Sequence, residues 1–130
     1  MAVNVTESVE MYLETIFILT GRNADVRSID ISREMNFSKP SVSRAIASLK
    51  KQGLIAVSES GVITLTPSGE EIASRIYERH IFLSEGLMAL GVSEATATKD
   101  ACRVEHYISD ETFTAIKNHL SKLGNAKKSK

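Results

Sequence analysis

Residues 37–55, FSKPSVSRAIASLKKQGLI, decide the fold. Ser38 is a helix-capping type, and Pro40 falls in the first turn behind it, where a missing amide N–H costs little. Val42, Ala45, Ile46 and Leu49 then recur at helical spacing, and Gly53 ends the run. Away from that apolar stripe stand Ser38, Lys39, Ser41, Ser43 and Arg44, with Lys50 and Lys51 at the far end. Hydroxyls and backbone N–H groups at a helix start bind phosphate well, and an arginine can reach a guanine edge. An isolated helix of this kind is no more than a solvated face, so its neighbours have to decide.

Upstream, Ser28–Met35 predicts a short helix with Ile29 and Ile31 facing inward, and Asn36–Phe37 form the turn between the two helices. Earlier still, Val9, Leu13, Ile16 and Phe17 place a helix over about Thr6–Thr20. Asn4 and Glu7 resemble its capping pair, and Gly21–Ala24 form the break behind it. Downstream, Leu54–Val57 and Val62–Thr66 read as strands around Ser58-Glu59-Ser60-Gly61, a small hairpin broken off by Pro67-Ser68-Gly69. Helix, turn, helix, hairpin is the order of a winged helix-turn-helix, whose second helix enters the major groove of double-stranded DNA. The candidate DNA contacts are Arg27, Ser38, Lys39, Pro40, Ser41, Ser43, Arg44 and Lys50. The wing tip, Ser58 to Ser60, suits phosphate only weakly.

The remainder predicts three more helices. One spans about Glu70–Ala89 and carries Ile72, Ile76, Ile81, Leu83 and Leu87. Ser93 caps a second that reaches about Tyr107. Ser109 caps a third, with Phe113, Ile116, Leu120 and Leu123 as its stripe. The expected class is mainly α: a winged helix-turn-helix over residues 1–70, a helical domain over 71–123, and a frayed tail over 124–130 that is almost without apolar residues.

Within the second of these helices, the stretch DACRVEHYISDE covers residues 100–111. Cys102, Glu105 and His106 stand at i, i+3 and i+4, so a helix stacks them on one face. Thiolate, carboxylate and imidazole are all metal ligands. The chain has a single cysteine and three histidines, so the grouping is unlikely to be accidental. At least one more donor is needed, and Met11, three residues before Glu14 on the first helix, is the candidate. A thioether beside a thiolate favours borderline cations, iron(II) first and manganese(II) next, over magnesium or calcium. The bland alternative is that Met11 fills a core, Cys102 packs, and Glu105 and His106 form a surface pair. Taken alone, His80 reads as a core or surface histidine.

Composition narrows the class. With 16 basic and 16 acidic residues, the formal charge is zero, so any DNA affinity must come from local clustering. No run of about 20 apolar residues exists to span a membrane, and no secretory leader pattern opens the chain. A lone cysteine cannot form an internal disulfide, which fits a reducing cytoplasm.

SVEMYLETIFIL (8–19), SVSRAIASLKKQGLI (41–55), TPSGEEIASRIYERH (66–80) and DACRVEHYISDE resemble the diphtheria toxin repressor and manganese transport regulator family, from about Ser8 to Leu120. The resemblance implies a homodimeric, metal-activated repressor whose winged helix binds an operator and whose C-terminal helices dimerise. The family's primary site carries over onto Met11, Cys102, Glu105 and His106, and its ancillary site onto His80. Ser84, with Glu85 beside it, stands where the ancillary site has a glutamate, and Thr98 where the iron branch has a histidine. The chain reads as a short form without the family's SH3-like domain. Met11 and Cys102, rather than carboxylates, resemble the iron-responsive branch. Two competing classes stand beside this. One is a metal-independent winged-helix regulator with Cys102 as a redox sensor. The other is an enzyme using Cys102 and His106, for which no oxyanion-forming glycine loop or third orienting group is evident.

Overall fold

The computed structural model describes residues 6–22 and 25–128. Asn4, the Asn23–Ala24 part of the predicted break and the side chain of Leu123 lie outside the described residues. The elements in chain order are α1 (Glu7–Arg22), α2 (Ser28–Met35), α3 (Lys39–Lys51), β1 (Ile55–Val57), β2 (Ile63–Leu65), α4 (Pro67–Ala89), α5 (Glu94–Val104) and α6 (Asp110–Lys128). They form two compact units, the first ending at Arg75 and the second beginning at Ile76. Both this boundary and the one expected after residue 70 fall inside α4.

The first unit is built on one apolar core. Tyr12, Leu13, Ile16 and Leu19 of α1 meet Ile31 of α2, Val42, Ile46 and Leu49 of α3, the strand residues Ile55 and Ile63, and Ala73 of α4. Thr6 takes the capping place expected of Asn4: its Oγ1 accepts from the N–H of Val9 at 3.3 Å. Ser38 caps α3 as its sequence predicts, accepting from the N–H of Ser41 at 3.3 Å. The strands pair antiparallel, with Ile55 opposite Leu65 and Val57 opposite Ile63. The N–H of Ile63 also donates to the carbonyl of Val26 at 2.7 Å, which stitches the hairpin to the segment before α2.

One expected break is part of a helix. Pro67-Ser68-Gly69 opens α4, because Thr66 caps it: Oγ1 accepts from the N–H of Gly69 at 3.2 Å and the carbonyl from that of Glu70 at 2.8 Å. Proline at the first helical position lacks only an N–H that would have no helical partner. Gly69 is required there, since a Cβ would collide with the backbone carbonyl of Leu54.

In the second unit Ile76 and Leu83 of α4, Ala97 and Ala101 of α5 and Phe113 of α6 are buried, together with Arg79, Ser84 and Glu105. Ile81, expected inward, is exposed. Ser93 caps α5 by accepting from the N–H of Thr96 at 3.4 Å. The helix stops at Val104, short of the expected Tyr107. The N–H groups of Tyr107 and Ile108 both turn back to the carbonyl of Val104, each at 3.0 Å, and Ser109 then caps α6 through the N–H of Thr112 at 3.1 Å. A second cap five residues after the helix end competes with continued winding. The last helix continues through residues 124–128, where a frayed tail is expected. Among the described residues, no helix is long and apolar enough to cross a membrane.

Candidate metal centre and nucleic-acid interface

The second unit gathers three donors of different chemistry. His80 projects from α4, Cys102 from the last turn of α5, and Glu105 is the residue that caps it. His80 Nδ1 lies 2.9 Å from Glu105 Oε2 and 3.7 Å from Cys102 Sγ. All three ligand atoms fall within 4.8 Å of one another. The other carboxylate oxygen, Oε1, is 3.4 Å from His106 Nε2. Glu105 is 0% exposed, so a full carboxylate is taken out of water between two imidazoles and a thiol.

This corrects the simple picture of Cys102, Glu105 and His106 on one helix face. Glu105 keeps helical geometry at φ −58° and donates its N–H to the Ala101 carbonyl, so Cys102 and Glu105 remain three positions apart on a helical turn. His106 sits in the turn beyond, and His80 is the imidazole beside the sulfur. The residue that sequence reasoning treats as ancillary is thus central to the cluster. Met11 is half-buried on α1 in the first unit. Glu14, on the same helix, is a buried carboxylate that the expected ligand set omits. Ser84 is buried and Thr98 exposed, and neither supplies the imidazole or carboxylate of a second site.

The hydrogen bond to Cys102, and after it that to Glu105, lift the His80 imidazole to about 10, against the opposing effect of burial. A proton on Nδ1 therefore holds sulfur and carboxylate together when no cation does. Ligation requires that proton to leave, so protons and metal compete for one place. Sulfur, nitrogen and oxygen donors around a buried carboxylate fit a divalent transition metal rather than magnesium or calcium.

The first unit presents α3 as a candidate nucleic-acid surface. Lys39, Pro40, Ser43, Arg44 and Lys50 are exposed along it. The Ser38 hydroxyl is shared between its capping role and Ser41 Oγ at 2.9 Å, and Arg44 is steadied by Ser41 Oγ at 3.4 Å. Burial raises the Tyr12 phenol above its ordinary value, and the guanidinium of Arg44 partly offsets this. Ser28, Ile29, Lys39 and Ser43 line a shallow concavity between α2 and α3. Arg27 has a structural task as well: its Nε donates to the carbonyl of Ser60 at 3.3 Å, tying the wing tip to the start of α2.

Comparison with known proteins also divides the chain in two, about ten residues before the boundary between the units. Residues 4–62 match the family described as "Iron dependent repressor, N-terminal DNA binding domain", and residues 66–128 match "Iron dependent repressor, metal binding and dimerisation domain". The chain is 32% identical over 118 residues to the transcriptional regulator MntR of Escherichia coli O6:H1, covering 91% of this chain and 76% of that protein. It is 31% identical over 124 residues to an uncharacterized HTH-type transcriptional regulator, MJ0568, of Methanocaldococcus jannaschii, covering 92% and 97%. The solved structure of the manganese regulator SloR superposes with a TM-score of 0.77 at 25% identity over 92% of this chain, which spans 55% of that one.

Proposed function

The chain belongs to the iron dependent repressor family, and we propose that it silences promoters as a homodimer when a divalent transition metal is held at the His80–Cys102–Glu105–His106 centre. It is a DNA-binding transcriptional regulator and not an enzyme. The observation that carries the metal assignment is the convergence of imidazole, thiol and buried carboxylate within 4.8 Å. Iron(II) is the first choice because a thiolate is among the donors. Manganese(II) is second, a place supported by relatives named as manganese regulators. Met11 is assigned as a further ligand, a thioether from the first unit. The cation, when bound, neutralises the thiolate and carboxylate that His80 otherwise holds by hydrogen bonds.

The partner of the second unit is a second copy of the chain. Leu83, Leu87 and Leu90 of the α4 end and Ile116 and Leu120 of α6 line an apolar groove of about 470 Å³. Leu90 is 82% exposed, an arrangement that suits a symmetric contact. On DNA, α3 enters the major groove with Arg44 toward base edges, while Ser38, Lys39, Ser41, Ser43 and Lys50, with Arg27 beside the wing, meet phosphates. Where the loaded geometry matches the operator, metal and DNA strengthen each other by one coupling free energy, about 1–3 kcal/mol.

The test uses a duplex selected from a random pool in the presence of metal. Under anaerobic conditions iron(II) tightens binding of the wild type by roughly 5–150-fold. Cys102→Ala and His106→Ala lose that gain and stay folded by circular dichroism. Equal duplex affinity with chelator, iron(II) and manganese(II) overturns the proposal. A response to manganese(II) alone corrects the choice of cation.

A further inference from the structure

Arg79 immediately precedes His80 on α4, and it is buried. Its Nη1 donates to the carbonyls of Glu105 at 3.2 Å and Ile108 at 2.7 Å. Its Nη2 pairs with the carboxylate of Asp110, and its guanidinium carbon lies 5.4 Å from the centre of the Phe113 ring. Every one of these partners belongs to the segment that leaves α5 and enters α6. Glu105 is therefore gripped from both ends by consecutive residues: Arg79 takes its carbonyl, and His80 takes its carboxylate at 2.9 Å.

The carbonyls at the end of a helix have no helical donors and attract cations. A buried guanidinium without partners would be strongly unfavourable, so arginine and turn depend on each other. The turn also has a geometric effect. Where α5 stops determines how far Glu105 stands from His80, and the contacts of Arg79 fall on the residues just past that stop.

We propose that Arg79 is the positioning residue of the metal centre, holding the backbone of Glu105 so that its carboxylate meets His80 and the Cys102 side of the cluster. This rests on reading that cluster as a metal centre. Arg79 itself supplies no ligand. Its planar fork spans two carbonyls and a carboxylate at once, a set of contacts that the single ammonium of a lysine cannot reproduce.

Cobalt(II) is the probe, because thiolate-to-cobalt charge transfer reports ligation by Cys102 directly. Wild-type chain, Arg79→Lys and Asp110→Asn are titrated without oxygen, and urea unfolding of each metal-free protein is measured alongside. Arg79→Lys weakens cobalt binding by about 10–100-fold, the usual cost of removing a group that orients a ligand, and its band at saturation differs from wild type. Asp110→Asn, which keeps the arginine but loosens its anchor, shifts affinity the same way by less. Lower stability alone does not alter the dissociation constant of a protein that is still folded, so the two effects separate. If Arg79→Lys unfolds more readily yet binds cobalt with wild-type affinity and spectrum, the arginine is only structural and the proposal is overturned. Should Arg79→Lys fail to fold, Asp110→Asn decides alone, and wild-type cobalt binding by that variant overturns it. A wild type without a thiolate band refutes the metal centre itself, a result distinct from either.

Discussion

The two units solve the problem of holding a chain together in opposite ways. The first closes over a continuous set of mostly leucine, isoleucine and valine side chains drawn from every one of its elements, with Glu14 the buried carboxylate at its edge among the described residues. The second buries fewer large apolar groups and places a guanidinium, a hydroxyl and a carboxylate inside. Apolar burial is non-directional, so the first unit can be assembled from pattern alone. Charged groups taken out of water tolerate few arrangements, so the second unit is tied to specific partners. The unit that touches DNA is thus a self-sufficient scaffold, and the unit that senses is one whose interior is open to chemical competition.

The largest effect that would break this contrast lies in the scaffold. Leu13 is 0% exposed, and Leu13→Ala is expected to cost about 2–5 kcal/mol through lost transfer energy and a residual cavity. That loss is the same in chelator and in saturating manganese(II), as measured by urea unfolding. A loss that shrinks when metal is added shows that the first unit is not self-sufficient. Next comes the surface of the same unit. Arg44→Ala should lose about 1–3 kcal/mol of affinity for the selected duplex, while unfolding changes by no more than about 0.5 kcal/mol. An unchanged affinity in fluorescence anisotropy would remove α3 from the groove.

The last test lies in the second unit and sharpens the contrast through pH. The folded-state value of His80, about 10, lies above its ordinary 6.5, chiefly through the hydrogen bond to Cys102 and then that to Glu105. A raised value means that the charged form is favoured by folding. The stability it contributes is complete below pH 6.5 and is lost as pH climbs toward 10. Metal-free protein should therefore show a urea midpoint that falls between pH 6.5 and 10, with a shallower fall in His80→Asn. Identical slopes in the two proteins would mean that the imidazole is not held by its neighbours.

Periodicity and capping chemistry made the first unit legible. Ser38, Pro40 and the Val42–Ile46–Leu49 stripe predict α3 almost to the residue. Pro67-Ser68-Gly69 reads as a break yet opens a helix, because proline and glycine can occupy a first turn when a threonine caps it. In the second unit the ligand types at Cys102, Glu105 and His106 were visible, but their arrangement was not. Spacing treats residues 100–107 as one helix, and the turn after Val104 is also held by a long-range partner, Arg79, that local pattern does not contain. A signal was nevertheless present. Ile72, Ile76, Arg79 and Leu83 recur four, three and four residues apart, so the arginine occupies a core position of α4. A charge in such a place has to be answered by something elsewhere in the chain, and here the answer is the backbone of Glu105 and Ile108.

Gly69 carries a consequence of its own. Because the Leu54 carbonyl occupies the space a side chain would need, the first turn of α4 can lie against the end of the α3–β1 connection only while that position lacks a side chain. Even alanine, the best helix former, would force the start of the long helix outward or delay its winding. Its place at a helix entrance suggests a forgiving site; sterically, the buried position is closed to all nineteen other amino acids.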